Sequence, residues 1–272
     1  MKLIKLEWLK FKGHRFFLIG TGLYVLCMVG LIIGIGNIEP LGSSKSEDGG
    51  IVDLGTFGEM GFYDVPFVWH NLTYIAGFFK FIPAFILLFF VANEYKFKTY
   101  RQNLIDGLTK TQFYISKLIS VLFFSILSTL VIGITGLIVA LIHNPDLGIL
   151  EMFTGGEFLI AFFAEVLFLM VFSVFLTFLM RSSTVAIIIL LLYYSLVEPF
   201  IGYILMGDFD VFLPTRASRE LINQPFTRMT QMDSIMGLET AETIPLKELI
   251  ITFSYTLIFA LGGYLILKKR DA

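Results

Sequence analysis

At 272 residues, 56% hydrophobic and 16% aromatic, with a mean hydropathy of +0.82, the chain is too apolar for a soluble globular domain and reads as an integral membrane protein. The net charge of −2 excludes little, because in a membrane protein the placement of charge matters more than its sum. A lone cysteine, Cys27, inside an apolar run excludes an internal disulfide framework and a cysteine metal cluster.

The chain begins with Lys2, Lys5, Lys10, Lys12 and Arg15 against one acid, Glu7. Ile4, Trp8 and Phe11 share a helical face, which predicts an interfacial helix lying along the inner membrane surface. The apolar run 16–36 is longer than the core of a signal peptide and lacks a small-residue cleavage site, so it reads as a retained first span. An acidic outer loop, 37–66, leads to a second span at 67–92. Further spans are expected near 118–142, 158–180, 184–205 and 248–267, with Arg181-Ser182-Ser183 turning the fourth into the fifth. Each holds the roughly 20 apolar residues that a bilayer core requires. A second outer loop, 206–247, precedes the last span; Pro214 could start a short helix there with Leu213, Ala217, Leu221 and Phe226 on one side. The whole chain is thus expected to be one all-α, six-span transmembrane domain, 1–272.

Orientation follows from the basic residues. With the N-terminus inside, the inner segments carry 14 of the 20 Lys and Arg and only Glu7, Glu94, Asp106 and Asp271 among the acids. Both termini are therefore expected in the cytoplasm.

The inner segment between the second and third spans is the most informative. Stepping 100° per residue from Tyr100 puts Tyr100, Leu104, Ile105 and Leu108 in one arc and Gln102, Asn103, Asp106, Thr109 and Lys110 in the opposite one. This predicts a short amphipathic helix with one face on the membrane body and one for water or a partner. Arg101 breaks the pattern at a place where a long side chain can snorkel.

Two charges fall inside spans. Lys80 lies near the middle of the second and Glu165 lies in the outer part of the fourth, and such groups usually face protein or water and have a partner. The depth offset of about 9 Å, at about 1.5 Å per residue, is bridgeable only if the helices tilt favourably. They are read either as a structural pair, with snorkelling as a variant for Lys80, or as a polar point in a translocation path.

Several chemistries are missing. No P-loop and no Gly-Lys pair is present, His14, His70 and His143 lack metal-ligand spacing, and no hydrolase motif occurs. No catalytic site, metal or directly bound cofactor is expected, and any ATP-driven work requires another chain.

Asn93-Glu94, followed by Thr99, Arg101, Gln102, Asn103, Leu104, Asp106, Gly107, Lys110, Phe113 and Lys117, resembles the membrane subunits of type-2 ABC exporters. The Pro66-Phe67-Val68-Trp69-His70 approach to the second span, the basic N-terminal helix, six spans and a Lys-Lys-Arg-Asp ending are similar to that family too. The resemblance implies a coupling helix that docks on a cytoplasmic ATPase, with Arg101, Gln102, Asn103, Asp106, Thr109 and Lys110 facing the partner. It places Glu94 at the junction, able to pair with Lys98, while Leu104, Ile105 and Leu108 pack on the spans. It also implies two ATPase subunits carrying ATP and Mg, a second permease copy or a paralogue, a bacterial inner-membrane location, and no nucleic-acid partner. Two other readings remain: an ion-driven secondary transporter using Glu165 and Glu198, and a non-transporting membrane partner or sensor of an ATPase.

Overall fold

The structure is a computed structural model of the full chain, and residues 2–35, 37, 61–205, 210–225 and 243–269 are described here. Among them there are helices and no strands. The helices are α1 (Lys2–Lys12), α2 (Arg15–Ile35), α3 (Val68–Phe79), α4 (Phe81–Lys96), α5 (Thr99–Ile105), α6 (Lys110–His143), α7 (Glu157–Met180), α8 (Ser183–Leu192), α9 (Glu198–Leu205), α10 (Pro214–Arg219) and α11 (Leu246–Lys269). A π-helical turn, Tyr193–Val197, joins α8 to α9 so that Ser183–Leu205 forms one span-length helix.

α7 forms the centre. It is apolar on every side, and a helix of that kind must be covered all round. α3, α4, α6, α8, α10 and α11 all pack against it, and Phe162, Phe168 and Phe178 are fully buried along its length. By contrast α2 buries only the stripe Phe17, Tyr24, Met28 and Ile32, leaving Leu18, Ile19, Leu23, Leu26 and Ile33 exposed. Together with Ile134, Ile138, Leu257 and Leu261, these give the bundle an apolar exterior, as a bilayer solvent requires.

The helices run alternately between two ends. One is basic: α1, α5, the start of α6, the α7–α8 turn and the end of α11 meet there, with Lys110 Nζ 3.3 Å from the Lys268 carbonyl. At the opposite end Asn144 receives the Val65 N–H at 3.4 Å and Trp69 Nε1 donates to the Met152 carbonyl at 2.7 Å. The Trp69 ring is wholly buried over Gly136, where an added Cβ would come within 2.8 Å of it. α3 begins at that end and α4 finishes at the basic end, so the pair crosses the bundle as one broken span with a 40° bend. The break falls at Lys80, one turn before Pro83. A proline at 83 has no N–H for the Phe79 carbonyl, and its ring crowds that carbonyl.

Span boundaries agree with the sequence within a few residues, apart from α6, which starts eight residues before the expected 118. The turn at Arg181 is made with φ 52°, and Pro214 does open a helix in which Ala217 and Leu221 are buried. Phe226, expected on the same side, lies outside the described residues.

Candidate functional site

Three features distinguish this bundle from a simple set of spans: a short helix projecting at the basic end, a buried charge network beneath it, and a polar cavity nearer the opposite end.

The projecting helix is shorter than its amphipathic pattern suggested. α4 ends at Lys96, and Lys98 takes up φ 57° to turn the chain, with Thr99 Oγ1 donating to the Glu94 carbonyl at 3.2 Å. α5 then lasts only seven residues, and Gly107 at φ 97° ends the turn after it. Thr109 is not part of α5: it caps α6, accepting the Gln112 N–H at 3.1 Å while Gln112 Oε1 accepts the Thr109 N–H at 3.0 Å. Lys110 is accordingly the first residue of α6.

Tyr100 anchors α5. It is 3% exposed, with ring centroids 4.7 Å from Phe113 and 5.3 Å from Tyr95, and Leu104 and Leu108 pack on the same core. Burial pushes the Tyr100 phenol pKa up, against a smaller opposing pull from Arg181. Ile105, expected on this inner face, is 78% exposed. Ile105 stands about 100° round from Leu104 and about 140° from Tyr100, and the helix stops before tertiary packing can cover it. Arg101, Gln102 and Asp106 are exposed beside it, Asn103 is half-buried, and Gln102 Nε2 donates to Asp106 Oδ1 at 3.0 Å.

Beneath α5 the Glu94–Lys98 pairing does not form, because α4 ends at Lys96 and the left-handed backbone at Lys98 breaks the i, i+4 register. Glu94 turns inward instead. Its Oε1 receives Lys117 Nζ at 2.7 Å and Lys10 Nζ at 2.8 Å. Glu7 of α1 takes the same two lysines, Lys117 at 2.9 Å and Lys10 at 3.0 Å, and its second oxygen accepts from Ser120 Oγ at 2.9 Å. Two carboxylates and two ammonium groups thus bind α1, α4 and α6 together. Burial favours the neutral form of Glu7, but Lys117 and Lys10 outweigh it and hold this carboxyl below its ordinary value. Burial likewise works against the charge on Lys10, and Glu94 and Glu7 raise its pKa above the usual lysine range.

Lys80 and Glu165 meet. Both are buried, their side chains form a short ion pair, and Lys80 Nζ also donates to Tyr194 Oη at 2.7 Å. The 40° bend brings them into reach: Lys80 sits at the break of one span and Tyr194 in the π turn of another. Pro199, which offers no N–H to the Ser195 carbonyl, follows that turn as Pro83 follows Lys80. The three side chains line a cavity of about 590 Å³ together with Tyr74, Phe78, Glu198, Arg216 and Arg219. Glu198 is spoken for, as its carboxylate accepts the Arg216 N–H at 2.8 Å and the Thr215 hydroxyl.

Sequence reasoning found Lys80, Glu165 and the α5 residues but missed Glu7 and Lys117 as partners, and Tyr194, Arg216 and Arg219 as cavity walls. The break at Lys80 had a signal in Pro83, and the start of α6 had one in the Thr109-x-x-Gln112 capping box. Among the described residues no three His, Cys, Asp or Glu side chains converge as metal ligands.

Among the described residues five helices are long and apolar enough to cross a membrane, six with the bent α3–α4 pair, and a polar cavity lies among them. The profile of a family described as "ABC-2 family transporter protein" matches residues 3–197, from α1 through the π turn. The chain belongs to that family, and it is a multi-pass membrane protein of the ABC permease kind. No curated protein matches it.

Proposed function

We propose that this chain is the permease subunit of an ATP-driven exporter, working with two cytoplasmic ATPase subunits that carry the ATP and Mg and with a second permease copy or a paralogue. The basic end would be cytoplasmic in a bacterial inner membrane, in keeping with the positive charge gathered there. The observation that supports this reading best is the exposed face of α5. Arg101, Gln102, Ile105 and Asp106 offer a cation, an amide, an apolar knob and an acid on a two-turn helix, which Tyr100 fixes to the spans. Ile105, 78% exposed among these polar groups, gives a partner an apolar anchor to cover. Thr109 and Lys110 would flank the contact from the first turn of α6, while Glu94, buried, would transmit force and not touch the partner.

In this mechanism, approach of the two ATPases pushes α5. The push passes through the tilted Tyr95–Tyr100–Phe113 ring contacts and the Glu94–Lys117 bond into α4 and α6, and the spans rock between inward-open and outward-open. Purification of the intact chain from mild-detergent membranes, with mass analysis of what accompanies it, tests the reading. A stoichiometric ATPase is expected, and the triple substitution Gln102→Ala, Ile105→Ala and Asp106→Ala should release it while membrane insertion is unchanged. A stable particle that repeatedly carries no ATPase overturns it.

A further inference from the structure

The cavity beside Lys80 holds a cation whose hydrogen-bond donors no side chain in the site uses. Its acids are each engaged: Glu165 with Lys80, Glu220 with Arg216 Nε at 2.6 Å, and Glu198 with the Arg216 N–H and Thr215. Among the described residues the Arg219 side chain makes no hydrogen bond or ion pair, though its charge is felt by Glu198, and its Nε is buried without a partner. Its guanidinium lies 4.9 Å from the Tyr194 ring centroid, which leaves the edge of the fork unoccupied. A guanidinium carries five N–H donors in a fixed plane, and leaving the buried Nε–H of Arg219 unbonded is unfavourable unless a ligand supplies an acceptor.

The rest of the wall states what else that ligand needs. Tyr74, Phe78 and Phe81 also line the cavity, and Phe78 is 66% exposed, so this aromatic lining reaches the apolar exterior of the bundle. We infer that this cavity binds an amphipathic anion, a membrane lipid whose phosphate or carboxylate head takes the Arg219 fork while its chain lies along Phe78. The matching chemistry is bidentate acceptance of two parallel N–H bonds by the head, plus burial of a few methylenes against the aromatic wall. Such binding does not depend on which ATPase the chain works with, or on whether it works with one.

Native mass spectrometry of the intact chain, released from vesicles of equal phosphatidylglycerol and phosphatidylcholine, tests this. The wild type should retain phosphatidylglycerol about tenfold more than phosphatidylcholine, the factor expected of one charge-assisted pair. Arg219→Gln should erase the preference, Arg219→Lys should keep part of it, and Lys98→Gln at the basic end should leave it unchanged. Phe78→Ser, at an exposed position that folding tolerates, should weaken retention without altering the preference. Dodecyl phosphate should displace the lipid and inorganic phosphate at equal concentration should not. Equal retention of the two lipids, or an unchanged preference in a folded Arg219→Gln protein, overturns the site; displacement by inorganic phosphate alone shows a free-anion site and overturns the lipid assignment.

Discussion

Among the described residues two Lys–Glu clusters lie within this bundle, and they are built differently. At the basic end Glu7, Lys10, Glu94 and Lys117 share their charges, so that each lysine serves two carboxylates, and continuous helices surround them. Lys80 and Glu165 form a single pair with one tyrosine, set at a broken span beside a cavity. Redundancy makes the first a clamp, since one bond can be lost while the others hold. The second has no spare partner, and it joins elements whose backbones are already interrupted. Burial alone says little about what an ion pair does; the number of alternative partners and the continuity of the helices beneath them say more.

The largest effect should come from the pair without redundancy. Glu165→Ala leaves Lys80 charged and buried, with Tyr194 as its one remaining acceptor, and should cost about 3–5 kcal/mol in unfolding of the purified protein in mixed micelles. Lys80→Met should cost a similar amount, and the double variant Lys80→Met, Glu165→Leu less than either single one, because no unpaired charge remains. Costs that simply add would show the two groups uncoupled. Lys117→Met should come next, at about 2–3 kcal/mol, because Lys10 still serves both carboxylates. Its signature should be local, with α1 becoming accessible to protease while α7 stays protected.

How much of this contrast was legible depends on distance along the chain. Apolar runs of span length and the two charges inside them declare themselves locally, so the spans, Lys80 and Glu165 stood out. Glu7 looks like an ordinary acid on a basic helix; its partner Lys117 lies 110 residues away and reads as one more inner-surface lysine. Only packing of α1 on α6 makes them neighbours. Ile105 failed for a local reason: it stands at the edge of the apolar arc, about 140° from Tyr100, and the helix is too short for packing to reach round to it. Arg219 sits in a polar stretch where sequence offers no sign that a cavity lies beneath it.

pH should separate the clusters more gently. The Glu7 carboxyl is held below its ordinary value of 4.5, so its contribution to docking of α1 is complete above about pH 4.5 and is lost as pH falls through the lower folded value. Lys10 is raised above 10.5, so its contribution is complete below that pH and is lost as pH rises through the higher folded value. Docking should be level between about pH 5 and 10 and loosen at both ends. Trp8, which meets Phe123 edge-on at 5.8 Å, reports it. The difference in emission between wild type and Trp8→Phe should shift only outside that window, and a transition near neutral pH would mean that another group controls the clamp.

The smallest effect on stability should come from Pro83→Ala, and it probes the contrast most directly. Restoring an N–H at 83 lets the Phe79 carbonyl regain its helical bond, which favours a straighter span, while straightening draws Lys80 away from Glu165 and Tyr194. The two changes oppose each other, so net stability should move by no more than about 1 kcal/mol. Their separation lies in the coupling energy. A double-mutant cycle on Lys80 and Glu165 in the Pro83→Ala background should give a smaller interaction than in the parent, whereas one on Glu7 and Lys117 should be unchanged. Undiminished coupling at Lys80 would place the cause of the bend in the packing of α3 and α4 on α7, with the proline merely accommodated there, and the pair would then be a second clamp.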